Sequence, residues 1–369
     1  MEASERPHRR SWSITVRRAR ADDKEAVLSF ATRTWDGSDY IPDVWERWLA
    51  ATDGVLLVAT AGGAASTAVG GRRPVDADGA PLEAARAVAV ARLTMLSRDE
   101  AWLEGIRVDP RVRGMGVATD FQVAELRWAA AHGVRVVRYA TGPDNEGSHR
   151  LGARHGFALL GEWRWYGVDD EDEETPPPDA APSTGGVTIV REVDGDRWWE
   201  RVTADPTLRR GHDLYERRAW ALQELTEERF RGHVARGQVT ALEYRADGAD
   251  RWALAIARDE GWGDEDPALP ASPALLVGDG RAALALLQAL SGGQPGVPRV
   301  LLPDVEPPIL DGGTVSAWAA AGWRPRDRTL HILTRPLDAA HPLPEPEDAA
   351  LLEMEEDPRA VARHWSAPS

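Results

Sequence analysis

The chain has 369 residues, a net charge of −16 and no cysteine. That excludes disulfides, a thiolate metal site and a cysteine nucleophile, and so acidic a balance argues against general nucleic-acid binding. No apolar run approaches the ~20 residues of a membrane span, and the first residues, MEASERPHRRSWS, carry no apolar stretch for export. The expectation is a soluble, cytoplasmic protein, monomer or homodimer, long enough for two domains.

Lys24 is the only lysine among 44 basic residues. GC-rich coding favours arginine over lysine. A high-salt cytoplasm favours acidic, lysine-poor surfaces, because screening weakens their self-repulsion. The balance leans towards a halophile.

In chain order, residues 14–19 alternate and read as a strand. Asp22 or Asp23 then caps a helix to about Thr34. Residues 35–42, WDGSDYIP, form a turn-rich loop. Residues 43–50 read as a short helix with Trp45, Trp48 and Leu49 on one face. A strand follows at 55–60, a loop or extended hairpin at 62–84, and an alternating strand at 86–95. Residues 103–108 alternate again and end in Asp109-Pro110. Arg111-Val112-Arg113-Gly114-Met115-Gly116 is a glycine loop rich in arginine. Val117, Phe121, Ala124 and Trp128 recur at helical spacing up to Gly133, and residues 134–140 are a strand.

A strand, a glycine loop and a helix start make an anion site. N–H groups at a helix N-terminus lack intrahelical partners, and the dipole is positive there. Gly114 and Gly116 carry no Cβ, so a diphosphate can approach the main chain. Arg111 and Arg113 add charge that pairs with phosphate. Neither GxGxxG nor a Walker loop is present.

Arg-x-x-Gly-x-Gly after Val108-Asp109-Pro110 resembles the acetyl-CoA signature of the GNAT superfamily of N-acetyltransferases. Asn145-x-x-Ser148-x-x-Leu151 with Gly156-Phe157 resembles that family's next motif. The resemblance covers roughly residues 13–168 and implies an α/β fold built on a mixed sheet. It further implies that Ile106 and Val108 contact acetyl-CoA through main-chain atoms. Arg111, Arg113, Gly114, Met115, Gly116, Val117 and Ala118 would surround the diphosphate, and Asn145 and Ser148 the pantetheine arm. The family's first helical hairpin lines the acceptor site, so Asp39 and Tyr40 are candidates to attract and orient an amine. On the other reading Asp39 caps the short helix and Tyr40 packs on it. Asp39-Tyr40-Ile41-Pro42, Trp48-Leu49 and residues 103–108 also resemble vertebrate histidine N-acetyltransferase and its relatives, which suggests an amino-acid-like acceptor.

Acetyl transfer to an amine needs a base to remove a proton. Glu104 is the candidate, because alternation would put it on one face with Ile106 and Val108. Among Leu103, Ile106 and Trp102 its pKa would rise. Glu100 has the same parity, and the plain alternative is that Glu104 pairs with an arginine. Relatives often carry a tyrosine after the leucine of the second motif as proton donor. Here that position is Gly152, and Tyr139, Tyr40 or water would substitute. His149 and His155 are nearby, on a helix where lone histidines are usually solvated or capping. No histidine has a partner at metal-ligand spacing, so no metal is expected.

Residues 169–186, DDEDEETPPPDAAPSTGG, read as an acidic, Pro-rich linker. The element order then starts again at 187: a helical region at 196–237, strands at 240–244, 252–258 and 274–277, a helix at 281–290, a strand at 297–302, a helix at 314–321 and a strand at 329–334. This gives two tandem domains, 1–168 and a degenerate copy at 187–337, with a tail at 338–369 holding a possible helix at 348–354. The second loop, Val277-Gly278-Asp279-Gly280, lacks the paired arginines, and Asp279 would repel a diphosphate. The function expected is acetyl transfer from acetyl-CoA to a small-molecule amine. The competing readings are a non-catalytic acyl-CoA sensor and a protein N-terminal or lysine acetyltransferase.

Overall fold

The protein is described by a computed structural model covering residues 12, 14–32, 39–62, 74–168, 188–190, 193–218, 220–258, 272–291, 299–303, 307–311, 314–343 and 351–352. The expected linker at 169–186, and parts of the expected loops at 35–42 and 62–84, lie outside these residues. The architecture is mixed α/β. The chain divides into two compact units that interleave along the sequence, where the sequence alone reads as successive stretches. The first holds Met1–Tyr139, Glu146–Ala158 and Thr334–Ser369, and the second Ala140–Asn145 and Leu159–Leu333.

In the first unit, β1 (Ile14–Arg18), β2 (Gly54–Ala61), β3 (Ala87–Met95) and β4 (Glu100–Val108) form an antiparallel run. β5 (Val136–Thr141) joins β4 in parallel. Every residue of β2 and β3 is buried. Their sequences, GVLLVATA and AVAVARLTM, are the near-continuous apolar runs of strands covered on both faces. α1 (Lys24–Ala31), α2 (Ile41–Ala50) and α3 (Val117–Ala131) pack on these strands. The predicted stripe on α3, Val117, Phe121, Ala124 and Trp128, is buried, and burial extends beyond it to Asp120, Gln122 and Glu125. α4 (Glu146–Arg154) follows β5. At the other edge, β15 (Leu351–Leu352) pairs in parallel with β1, Thr15 opposite Leu351 and Val16 opposite Leu352. The short helix expected at 348–354 is therefore interrupted by strand. The edge of β1 offers unpaired backbone groups, and satisfying them outweighs a weak local helix preference.

In the second unit, β7 (Thr188–Val190), β10 (Val239–Ala246), β11 (Ala249–Ala257) and β12 (Pro273–Gly278) form another antiparallel run. α8 (Gly280–Ser291) packs on it through Ala282, Ala283, Leu286 and Leu287. The helical region expected at 196–237 is broken. α5 (Gly195–Ala204), α6 (Pro206–Arg210) and α7 (Glu227–Ala235) flank a hairpin of β8 (Leu214–Arg218) and β9 (Ala221–Glu224). Positive φ at His212 and Asp213, 54° and 58°, ends the helix before the hairpin. β6 (Ala158–Val168), β13 (Val300–Pro303), α9 (Val315–Ala320) and β14 (Trp323–Pro336) complete the elements used below.

Candidate active site

The turn between β4 and α3 is short and glycine-bearing. Asp109 starts it, accepting a hydrogen bond from the Arg111 N–H at 3.0 Å. A single 3₁₀ turn, Pro110–Val112, follows. Gly114 and Gly116 have φ of 75° and 79°, in the left-handed region that favours glycine. Gly116 caps α3 and has no side chain to accept from the first-turn N–H groups. A β-carbon at Gly114 would meet nothing within 4 Å, so this face of the turn is open. Gly114 and Arg113 are exposed, Gly116 and Ala118 half-buried, and Met115 and Val117 buried. Arg111 has a carboxylate partner within the turn. Its guanidinium folds back onto Asp109, Nη2 to Oδ2 at 2.6 Å. Burial pushes Asp109 up, but the bonds from Arg111 outweigh it and hold the carboxyl below its ordinary value. Arg111 thus stiffens the turn while its side chain stays 47% exposed, and Arg113 is exposed as well.

β4 is not a plain alternating strand. Glu104 pairs with Arg92, whereas Arg107 pairs with Val90. Arg92 and Val90 are two apart and share a face of β3, yet their partners are three apart on β4. Gly105, with φ of 71°, supplies the bulge. Val108 pairs with Ala89, the opposite parity, so Glu104 does not share a face with Val108 as alternation suggested. Pairing with β5 spans Glu100 to Trp102, while β4 runs on through Ile106 to Val108.

The bulge brings Arg107 to the first helical hairpin. Arg107 Nε donates to Asp39 Oδ2 at 2.6 Å and Nη2 to Oδ1 at 3.3 Å. Asp39 Oδ1 also accepts from the Ile41 N–H at 3.1 Å. Asp39 is buried and fully engaged, so it braces this corner and is not placed to meet an amine. The Arg107 guanidinium lies 5.5 Å from the centre of the Tyr40 ring, whose edge packs on Trp48. Burial, then the charge of Glu104, pushes the Tyr40 phenol well above its ordinary value, against the pull of Arg107. Tyr40 stays protonated and remains a donor.

Glu104 stands beside this group with a side chain 21% exposed. Its surroundings are not the apolar pocket expected. Thr94 donates its hydroxyl to Glu104 Oε1 at 2.6 Å, and the Arg92 Nε is 3.6 Å away. Arg92 is buried and takes Asp53 as its close partner, with a further bond to the Trp48 carbonyl. Glu100 is paired with Arg138 inside the sheet, which removes it as a base. The cluster of Arg92, Thr94 and Arg107 escaped the sequence reading; a glycine inside an alternating strand was the signal for it.

Of the second motif, Ser148 lies in the first unit and Asn145, exposed, in the second. The Tyr139 hydroxyl donates to the Ser148 carbonyl at 3.1 Å, so it is committed to holding α4. His155 is buried, and burial with the charges of Arg154 and Arg335 pushes it down to about 4. Among the described residues no group of three His, Asp or Glu is placed to hold a metal ion.

An open glycine turn at a helix start, beside a bulged strand bearing a carboxylate, combines an anion-binding corner with a candidate base. Residues 28–157 match the acetyltransferase (GNAT) family. The match covers about a third of the chain and supports acetyl-CoA-dependent N-acetyl transfer as its activity. Among solved structures it is similar to a GCN5-related N-acetyltransferase from Sphaerobacter thermophilus, with 18% identity and a TM-score of 0.49 over 88% of this chain and 95% of that one. It is also similar to a putative acetyltransferase from Pyrococcus horikoshii, with 13% identity and a TM-score of 0.44 over 90% and 92%. No curated protein matches it.

Proposed function

We propose that the protein transfers acetyl from acetyl-CoA to the amine of a small molecule, an amino acid or similar. Arg111, Arg113, Gly114, Met115, Gly116, Val117 and Ala118 would hold the diphosphate, and Ile106, Val108, Asn145 and Ser148 the pantetheine arm. Bound acetyl-CoA supplies an acetyl group activated as a thioester. Glu104 takes the proton from the incoming ammonium, directly or through water. Thr94 and Arg92 fix the carboxylate while leaving it reachable. Tyr40 donates a hydrogen bond to the acceptor, and Asp39 acts through Arg107 to hold Tyr40 in place. With Gly152 at the usual tyrosine position and the Tyr139 hydroxyl engaged, water returns the proton to the thiol.

The observation that carries the reading is Glu104 on the bulged strand, facing the first helical hairpin. Glu104→Gln is expected to cut turnover at neutral pH by roughly a hundredfold and to leave coenzyme A affinity unchanged. Thiol release with free amino acids, histidine included, and polyamines measures it. Unchanged turnover would remove Glu104 from the mechanism.

The second half is read as a degenerate copy without a cofactor. The run β7-β10-β11-β12 followed by α8 repeats β1-β2-β3-β4 followed by α3. At its helix start Asp279 Oδ1 accepts from the N–H groups of Arg281 and Ala282 at 3.0 and 3.1 Å. The carboxylate occupies the place a phosphate would take. A β-carbon at Gly280 would stand 2.0 Å from the Ile309 carbonyl oxygen, so this turn is packed shut. The charge of −16 and single lysine support a high-salt cytoplasm as its setting.

A further inference from the structure

α4 buries only Gly152 among its nine residues. A helix that hides so little apolar surface is not held by hydrophobic burial. Among the polar contacts that hold it are two anchors, one at each end. In its first turn, the Ser148 carbonyl takes the Tyr139 hydroxyl at 3.1 Å, and the Tyr139 ring packs edge-on against Phe157 at 5.0 Å. Just past its end, the carbonyl of His155 takes the Nε–H of Arg335.

Arg335 comes from the far end of the chain and is 4% exposed. Its Nη1 and Nη2 donate to the carbonyls of Pro336 and Pro342, each at 3.0 Å. Three carbonyl oxygens therefore surround the buried guanidinium, two from its own segment and one from the end of α4. Cations are favoured at a helix C-terminus, where unpaired carbonyls carry partial negative charge. The Leu337 N–H donates to the Arg135 carbonyl at 2.8 Å, tying the same segment to the turn between α3 and β5. Residues 334–343 are thus a clasp across the base of α4.

We propose that Arg335 is a positioning residue for acetyl-CoA: by fixing the end of α4, with Tyr139 fixing its start, it sets where Ser148 meets the pantetheine arm. This rests on the reading of Ser148 and the glycine turn as the cofactor site. The acetyltransferase site is then built from both ends of the chain, and residues 1–168 alone do not complete it.

The test uses full-length protein below its unfolding temperature, with coenzyme A affinity by calorimetry and steady-state constants by thiol release. Arg335→Met removes all three donors. Its Kd for coenzyme A and KM for acetyl-CoA should rise roughly tenfold to a hundredfold, the scale of a misplacement of about 1 Å. The KM for the acceptor should not move. Arg335→Lys keeps the charge but reaches a single carbonyl, and should weaken binding about threefold. Tyr139→Phe cuts the other anchor and should give the same selective loss. Wild-type affinity in a folded Arg335→Met or Arg335→Lys protein overturns the proposal, as does a loss shared equally by both substrates. If Arg335→Met does not fold, Arg335→Lys and Tyr139→Phe decide. Wild-type protein that binds no coenzyme A sinks the cofactor-site reading and this proposal together. Binding by the wild type with indifferent variants sinks the proposal alone.

Discussion

Glu125 lies wholly buried on α3, and its Oε1 meets no hydrogen-bond donor among the described residues. Burial alone pushes its carboxyl up to about 8 from 4.5. The folded chain therefore keeps a proton that the unfolded chain releases through this interval. Stability should fall as pH rises from 4.5 to about 8, by roughly 1.4 kcal/mol per pH unit from this group. Glu125→Gln should remove that slope and raise the melting temperature most at alkaline pH; a variant that melts like the wild type there refutes the assignment. His155 tilts the other way. Its folded pKa, about 4, is below the ordinary 6.5, so its contribution is lost as pH falls through that window. Neither burial was legible beforehand: Glu125 looks like an exposed helix glutamate, and His155 like a capping one.

At the scale of elements, the bulge in β4 sets the layout of the proposed site. A β-carbon at Gly105 would stand 2.6 and 2.8 Å from ring atoms of Trp48 and 3.2 Å from Ile41 Cδ1. With a φ of 71° besides, Gly105→Ala should destabilise the protein by about 1–3 kcal/mol. Because the bulge sets the offset between Glu104 and Arg107, activity should fall even where the variant is folded. Denaturant titration and turnover measured side by side check both. Much of this region could be read from sequence: the stripe Val117, Phe121, Ala124 and Trp128, the open turn at Gly114 and Gly116, and Glu104 near the hairpin. The partners could not. Period-two alternation carries no information about a one-residue insertion, and Arg92 in AVAVARLTM looks like a misplaced charge until Asp53 and Trp48 meet it. The hairpin at Leu214–Glu224 was hidden for a similar reason, since its breaks lie at non-glycine residues with positive φ.

At the scale of the whole molecule, the two runs of antiparallel strands share one order but have opposite helix starts, one open and one sealed by Asp279. Calorimetry with coenzyme A should accordingly give one site per chain; two would end the reading of the second copy as empty. The spacing of glycines suggested a repeat, whereas the return of residues after 333 to the first unit had no such signal. No local pattern announces a contact between Thr15 and Leu351. That return has a consequence for birth on the ribosome. Strands β1 to β4 emerge early, but the clasp on α4 and the edge strand follow much later. At ordinary elongation rates the intervening chain of about 200 residues takes on the order of 10–40 s to appear. For that interval the nascent unit stands with an open sheet edge and an α4 anchored only through Tyr139, so the finishing of this domain waits for residues 334–352 to emerge, with the edge left for a chaperone to shield meanwhile.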